Sequence, residues 1–139
     1  MILLDTNVLS ALMRQEPDAV VIRWLDRQPR QSVWTTSITV FEVRFGLQIM
    51  ALGKRRTFLM QAFERLLRDV LEQRIAEFGS DAAQRAADLM AVRQKEGRSG
   101  ELRDTMIAGI ALASHAVLAT RNVSHFQDIS GSVMNPWLS

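Results

Sequence analysis

A chain of 139 residues, 47% hydrophobic and 23% charged, is one domain long and carries enough apolar side chain for its own core, which excludes intrinsic disorder and a two-domain arrangement. The absence of cysteine excludes a disulfide scaffold, a thiolate zinc site and a cysteine nucleophile, and it fits a reducing cytoplasm. The net charge is only +2, but nearly all the cationic side chains are arginine, with lysine confined to Lys54 and Lys95. Two explanations of that bias stand: a partner rich in phosphates or carboxylates, which arginine grips with paired hydrogen bonds, or a genome whose codons favour arginine.

Ile2–Leu4 is a short apolar run and predicts a buried strand of a parallel sheet covered on both faces. No basic stretch precedes it and no run approaches the roughly 20 apolar residues of a membrane span, so neither a secretory signal nor an anchor is expected. Asp5, Thr6 and Asn7 end the run, and 8–13 form a helical turn or two. Pro17 marks the next helix start with Asp18 in its first turn; Val20, Val21, Trp24 and Leu25 share one face, and Pro29 stops it. Val33–Thr36, β-branched and aromatic, predicts a second strand. A helix then runs from Ser37 to about Leu52, closed by Gly53, and Lys54 opens another in which Leu59, Phe63, Leu66, Leu67, Val70 and Leu71 recur at helical spacing. The short connection predicts a helical hairpin over about 40–73 that projects from the sheet or packs on another copy; its apolar residues serve either a contact or the core.

A third strand is expected at 74–78. Ser80 and Asp81 start an alanine-rich helix to about Glu96, a polar loop covers 97–103, and Asp104 opens a helix of small apolar residues. Strands at 117–120 and Val133–Met134 complete the chain. Strands alternating with helices predict a single α/β domain over 1–139 with a mostly parallel sheet.

Ligands of open parallel sheets bind beyond the carboxyl ends of the strands. The polar residues there are Asp5, Thr6 and Asn7, then Ser37, Thr39 and Glu42, then Thr120, Arg121 and Asn122. Asp104 joins them if the loop before it crosses the top of the sheet. Each acid also has a purely structural explanation. Asp5 closes a turn with Asn7; Glu42, three residues after Thr39, completes a capping box; Asp104 is an N-cap. Together they say more. Two unit charges about 4 Å apart repel by roughly 4 kcal/mol at an effective dielectric near 20, so three gathered carboxylates call for a neutralising cation. A donor set of oxygens alone points to Mg²⁺ or Mn²⁺ and to metal-assisted phosphodiester hydrolysis. No glycine-rich phosphate loop, Walker motif or GxSxG elbow is present, and Asn7 stands where an aspartyl-phosphate enzyme needs a second aspartate. His115 reads as a helix C-terminal cap, His125 as a loop residue, and the seven methionines as core filler.

Four segments in order resemble PIN-domain proteins of the VapC type: the opening ILLDTNVLS (2–10), SITVFEVRFG (37–46), DTMIAG (104–109) and ATRNVSHF (119–126). The closing Asn135-Pro136-Trp137 and the length resemble the FitB branch. The resemblance implies a three-layer sandwich with a five-stranded, mostly parallel sheet between helices. It implies that Asp5, Glu42 and Asp104 bind Mg²⁺ or Mn²⁺ and activate water against RNA, with Glu42 as ligand or water-orienting base. Thr6, Asn7, Thr120 and Asn122 would support that shell. The arginines expected near the mouth, Arg121, Arg103 and Arg44, either hold RNA phosphates or form salt bridges with the acids. The family often has aspartate where this chain has Asn122, which supplies no charge and puts a second metal position in doubt; Asp128, the nearest later acid, does not match the motif. Such proteins are cytoplasmic toxins of type II toxin–antitoxin pairs, homodimeric, and silenced by a VapB-type antitoxin through which alone they meet operator DNA; the hairpin is a surface for that antitoxin. Two rivals stand beside this reading. One is a catalytically weak or dead PIN scaffold that acts by binding a partner, and the other a magnesium hydrolase of small phosphate esters.

Overall fold

The computed structural model describes residues 1–98 and 100–139; Ser99, inside the expected loop 97–103, lies outside them. Five parallel strands, β1 (Ile2–Leu4), β2 (Val33–Thr36), β3 (Ile75–Ala76), β4 (Val117–Ala119) and β5 (Val133–Met134), form one sheet in the order β3-β2-β1-β4-β5. β1 lies at the centre, with Ile2 opposite both Val33 and Val117 and Leu4 opposite Thr35 and Ala119. Because successive strand residues point to opposite faces, Leu4, Val33 and Ala119 enter one core while Leu3 and Leu118 enter the other. This is why the apolar runs are continuous rather than alternating.

The first core is roofed by α1 (Thr6–Met13), α2 (Ala19–Asp26), α3 (Ser37–Ile49) and α4 (Lys54–Arg65), the last prolonged by a π turn over Leu66–Val70. The second is roofed by α5 (Ser80–Lys95) and α6 (Leu102–Ala113). These two helices pack tightly: a Cβ on Gly109 would stand 2.5 Å from the Ala82 carbonyl oxygen and 2.8 Å from the Ala86 Cβ. Small residues are what let the backbones approach. Among the described residues, no helix is long and apolar enough to cross a membrane.

Several helix ends differ from expectation. Asp18 does not lie inside α2 but caps it, accepting the amide of Val20 at 2.9 Å. Gly53 does not close α3, which ends at Ile49; with φ of 154° it leads into α4. His115 stands at the C-terminus of α6 as expected, in the left-handed region with φ 51°, its amide donating to the Leu112 carbonyl at 3.3 Å. The hairpin 40–73 lies with its inner residues Val43, Leu47, Phe63 and Leu67 in the first core, while Leu52 at its turn is 85% exposed. The strands expected at 74–78 and 117–120 are shorter, and Thr120 stands just beyond the end of β4.

Candidate acidic active site

Asp5 directly follows β1 and caps α1, so the central strand delivers it to the carboxyl edge of the sheet. It is 5% exposed. One carboxylate oxygen accepts the Thr6 amide at 2.8 Å, and the other accepts the Thr120 hydroxyl at 2.8 Å and the Asn7 amide at 3.5 Å. Burial raises its pKa above the ordinary 3.8; the Thr120 and Thr6 bonds oppose the rise, and the Asp104 charge adds to it.

Glu42 is in the second turn of α3. The cap of that helix is Thr36, whose hydroxyl accepts the Thr39 amide at 2.9 Å, so the capping box built on Thr39 does not form. Glu42 instead accepts the Thr6 hydroxyl at 3.2 Å and faces Arg103 at 3.8 Å. Its pKa is raised, first by burial and next by the Asp5 charge, with Asp104 contributing further.

Asp104 arrives by topology. α6 ends next to Val117, which pairs with Ile2 at the start of β1, so the helix runs against the strands and begins at their carboxyl edge. Glu101 is its N-cap, accepting the Asp104 amide at 3.0 Å, so the Asp104 side chain is not used in capping. It faces His125, whose Nδ1 lies 2.8 Å from Oδ2. That partnership was not read from the sequence, although His125 sits within the fourth motif; only the tertiary fold brings it to a residue 21 positions away.

The edge thus gathers Asp5, Glu42 and Asp104 within electrostatic reach of one another. Asn7 joins them, donating to Thr120 at 3.3 Å and accepting the Arg121 amide at 3.0 Å. Asn122 is exposed, and its amide N–H donates to the Thr120 hydroxyl at 3.1 Å. Arg103 lies between Glu42 and Glu101, 3.3 Å from the latter. Arg44 is not brought to this edge. Two residues past Glu42 is about 200° around a helix, and its guanidinium is 2.7 Å from Glu64 and over the Phe63 ring. Asp128 is held away by a two-pronged pair with buried Arg93, at 2.7 and 2.8 Å.

Among the described residues, no three acids or histidines already converge at ligating spacing; Glu42 is turned to Thr6 and Arg103, and Asp104 to His125. The donor chemistry nevertheless fits a hard divalent cation. All three candidates are carboxylates, and two have pKa values raised by burial and by neighbouring carboxylate charge. Beside them runs a groove of about 570 Å³, lined by Thr6, Asn7, Glu42 and Arg121 and by apolar Val43, Leu47, Met50 and Leu59.

A five-stranded parallel sheet between two helical layers, with acidic residues at its carboxyl edge, defines a three-layer α/β domain. The chain belongs to the PIN domain family, which it matches over residues 2–131. It is similar to the VapC ribonuclease Y4jK of Sinorhizobium fredii, 40% identical over 99% of this chain and 98% of that protein. It is also similar to Toxin FitB of Neisseria gonorrhoeae, 32% identical over 99% of each chain. The solved structure of FitAB bound to an IR36 DNA fragment superposes with a TM-score of 0.86 at 32% identity, covering 99% of this chain and 96% of that one.

Proposed function

We propose that this protein is a metal-dependent endoribonuclease, the toxin of a type II toxin–antitoxin pair. The observation that carries the reading is buried Asp5, pinned by Thr6 and Thr120 and electrostatically coupled to Asp104 and Glu42. A buried carboxylate with like charges beside it disfavours folding unless a cation or a proton neutralises it.

Asp5, Glu42 and Asp104 would hold Mg²⁺ or Mn²⁺. The ion would supply Lewis acidity toward a phosphodiester oxygen and lower the pKa of water there. The chain's own residues do the rest. Thr6 and Thr120 fix Asp5 in one rotamer, and the Thr6 hydroxyl also fixes Glu42. Glu42, less buried than Asp5 and with a raised pKa, is placed to orient or deprotonate water. His125 fixes Asp104. Asn7 ties the Arg121 backbone to the same network. Asn122 offers an amide but no charge, which favours one strongly held ion over two.

The partners follow the same reading. The relatives include a protein named as a toxin and a complex named FitAB bound to DNA. We assign this chain a small VapB-type antitoxin, through which it meets operator DNA, and a cytoplasmic location where RNA is at hand. The groove between α1 and the α3–α4 hairpin, apolar along much of its wall and acidic at Glu42, suits an antitoxin segment bearing a basic side chain. The test is a defined RNA incubated with Mg²⁺, Mn²⁺ or EDTA, with a chromogenic phosphate ester in parallel. Metal-dependent cuts in RNA alone support the reading. Hydrolysis of the small ester favours the phosphatase rival, and failure to bind Mn²⁺ or cut RNA favours the dead scaffold.

A further inference from the structure

We propose that Trp137 is a positioning residue for Arg121, and that the pair forms a phosphate-binding subsite for RNA at the rim of the acidic site. The proposal rests on the ribonuclease reading above and gives a role to the closing Asn-Pro-Trp, which that reading leaves unused.

The Arg121 Cζ lies 4.5 Å from the centroid of the Trp137 ring. A guanidinium stacked on an aromatic face is held by the ring's quadrupole, so its in-plane N–H donors are not spent on a carboxylate. Two neighbouring cations are spent, Arg103 on Glu101 and Glu42 and Arg14 on Asp18, whereas Arg55, which also lines the groove, has no carboxylate partner among the described residues and no aromatic ring beneath it. Among the described residues, no carboxylate pairs with Arg121. The fork therefore remains open for a two-pronged grip on a phosphate.

Both partners are anchored. The Arg121 amide donates to Asn7, whose own amide reaches Thr120 and Asp5, so the cation's root is tied to the central carboxylate. The indole Nε1 of Trp137 donates to Asp18 Oδ2 at 3.0 Å, and its backbone amide donates to Asn135 Oδ1 at 2.9 Å. Pro136 between them is buried. Arg121 and Trp137 both line the groove that contains Glu42. The ring is thus a fixed platform for a long, exposed side chain in the wall of that groove. RNA fits better than a protein carboxylate because its phosphates repeat along the backbone. One can sit at the acidic centre while its neighbour meets Arg121.

The experiment measures binding of a short fluorescein-labelled single-stranded RNA in EDTA over a range of salt, by anisotropy, for the parent, Arg121→Gln, Trp137→Leu, Trp137→Phe and the double Arg121→Gln/Trp137→Leu. Melting temperatures control for folding, and cleavage of the same RNA by the parent is run alongside. Arg121→Gln and Trp137→Leu are each expected to weaken binding roughly tenfold and to flatten the salt slope by about 0.7, the contribution of one phosphate contact. The double variant is expected to bind no worse than Arg121→Gln. Trp137→Phe, which keeps an aromatic face, is expected to stay within about twofold of the parent. Additive losses in the double variant overturn the proposal, because Trp137 would then act independently of Arg121. Unchanged affinity and slope in the single variants also overturn it, because Arg121 would then make no phosphate contact. Arg121-dependent binding without any cleavage sinks the nuclease reading but not the subsite. Cleavage with binding indifferent to both residues sinks the subsite alone, and a parent that neither binds nor cuts overturns both.

Discussion

His125 Nδ1 and Asp104 Oδ2 lie 2.8 Å apart, joining the helical segment after β4 to the first turn of α6. The contact fixes one oxygen of a carboxylate that otherwise projects from a helix with no cap to make. Groups that orient a metal-binding carboxylate typically carry ten- to a hundredfold effects of about that size. His125→Ala is therefore expected to lower kcat/KM on RNA by at least about tenfold. The imidazole is 53% exposed, so the melting temperature is expected to hold. Unchanged kinetics would show that Asp104 needs no such support.

The raised pKa values of Asp5 and Glu42 have a definite sign in stability. A carboxyl group that binds its proton more tightly in the native state opposes folding once it is ionised, so metal-free protein should become more stable as pH falls through the raised native values towards the ordinary 3.8 and 4.5. Asp5→Asn removes one of those buried charges, and its melting temperature in EDTA should equal or exceed that of the parent. Saturating Mn²⁺ should stabilise the parent, by about 2.7 kcal/mol at a hundred times Kd, and leave Asp5→Asn unmoved. Differential scanning fluorimetry reads all of this. An equal Mn²⁺ shift in both proteins would place the ion elsewhere.

Arg93 and Asp128 show the opposite sign. The Arg93 guanidinium, 4% exposed, also donates to the Thr105 hydroxyl at 3.0 Å, next to Asp104. Hydrogen bonding to Arg93 lowers the Asp128 pKa below its ordinary 3.8. The stabilisation is complete above 3.8 and is lost as pH falls through the depressed native value. Arg93 is buried but Asp128 is reached by solvent, so removing the carboxylate should cost about 1–3 kcal/mol, less than the loss of one member of a fully buried pair. Asp128→Asn should show a loss of that order at pH 7 by urea unfolding, shrinking in strong acid where the parent loses the same charge. A loss independent of pH would mean that packing rather than charge is responsible.

Phe41 and Phe45 stack on the outer face of α3 with ring centroids 6.3 Å apart, and Ile49 continues the stripe; they are 56%, 50% and 69% exposed. An exposed apolar stripe of this kind is suited to pairing two copies of the chain, and it is expected to do so. Sedimentation should find a dimer for the parent and a monomer for Phe41→Asp/Phe45→Asp, with the fold intact because neither ring enters the core. A dimer that survives both substitutions uses another surface.

Much of the architecture was legible because it is local. The apolar runs at Ile2–Leu4 and Val33–Thr36 specify strands, and Asp5 needs only to follow one to reach the sheet edge. Helix starts were less legible because capping is decided by competition. Thr36 outcompetes Thr39 as the cap of α3, which frees Glu42, and Glu101 outcompetes Asp104 at α6. Arg44 was misplaced by proximity in sequence, since two residues along a helix point away from each other. The Asp104–His125 and Arg93–Asp128 partnerships span 21 and 35 residues and leave no local pattern; the first joins α6, and the second α5, to the helical segment after β4.

The most direct test of the account is cleavage of a defined mixed RNA by purified parent and by Asp5→Asn, each with Mg²⁺, with Mn²⁺ and with EDTA. The account predicts cuts by the parent that require metal and vanish in Asp5→Asn, whose fold persists. Cuts that survive in EDTA, or that Asp5→Asn makes as well as the parent, would contradict it.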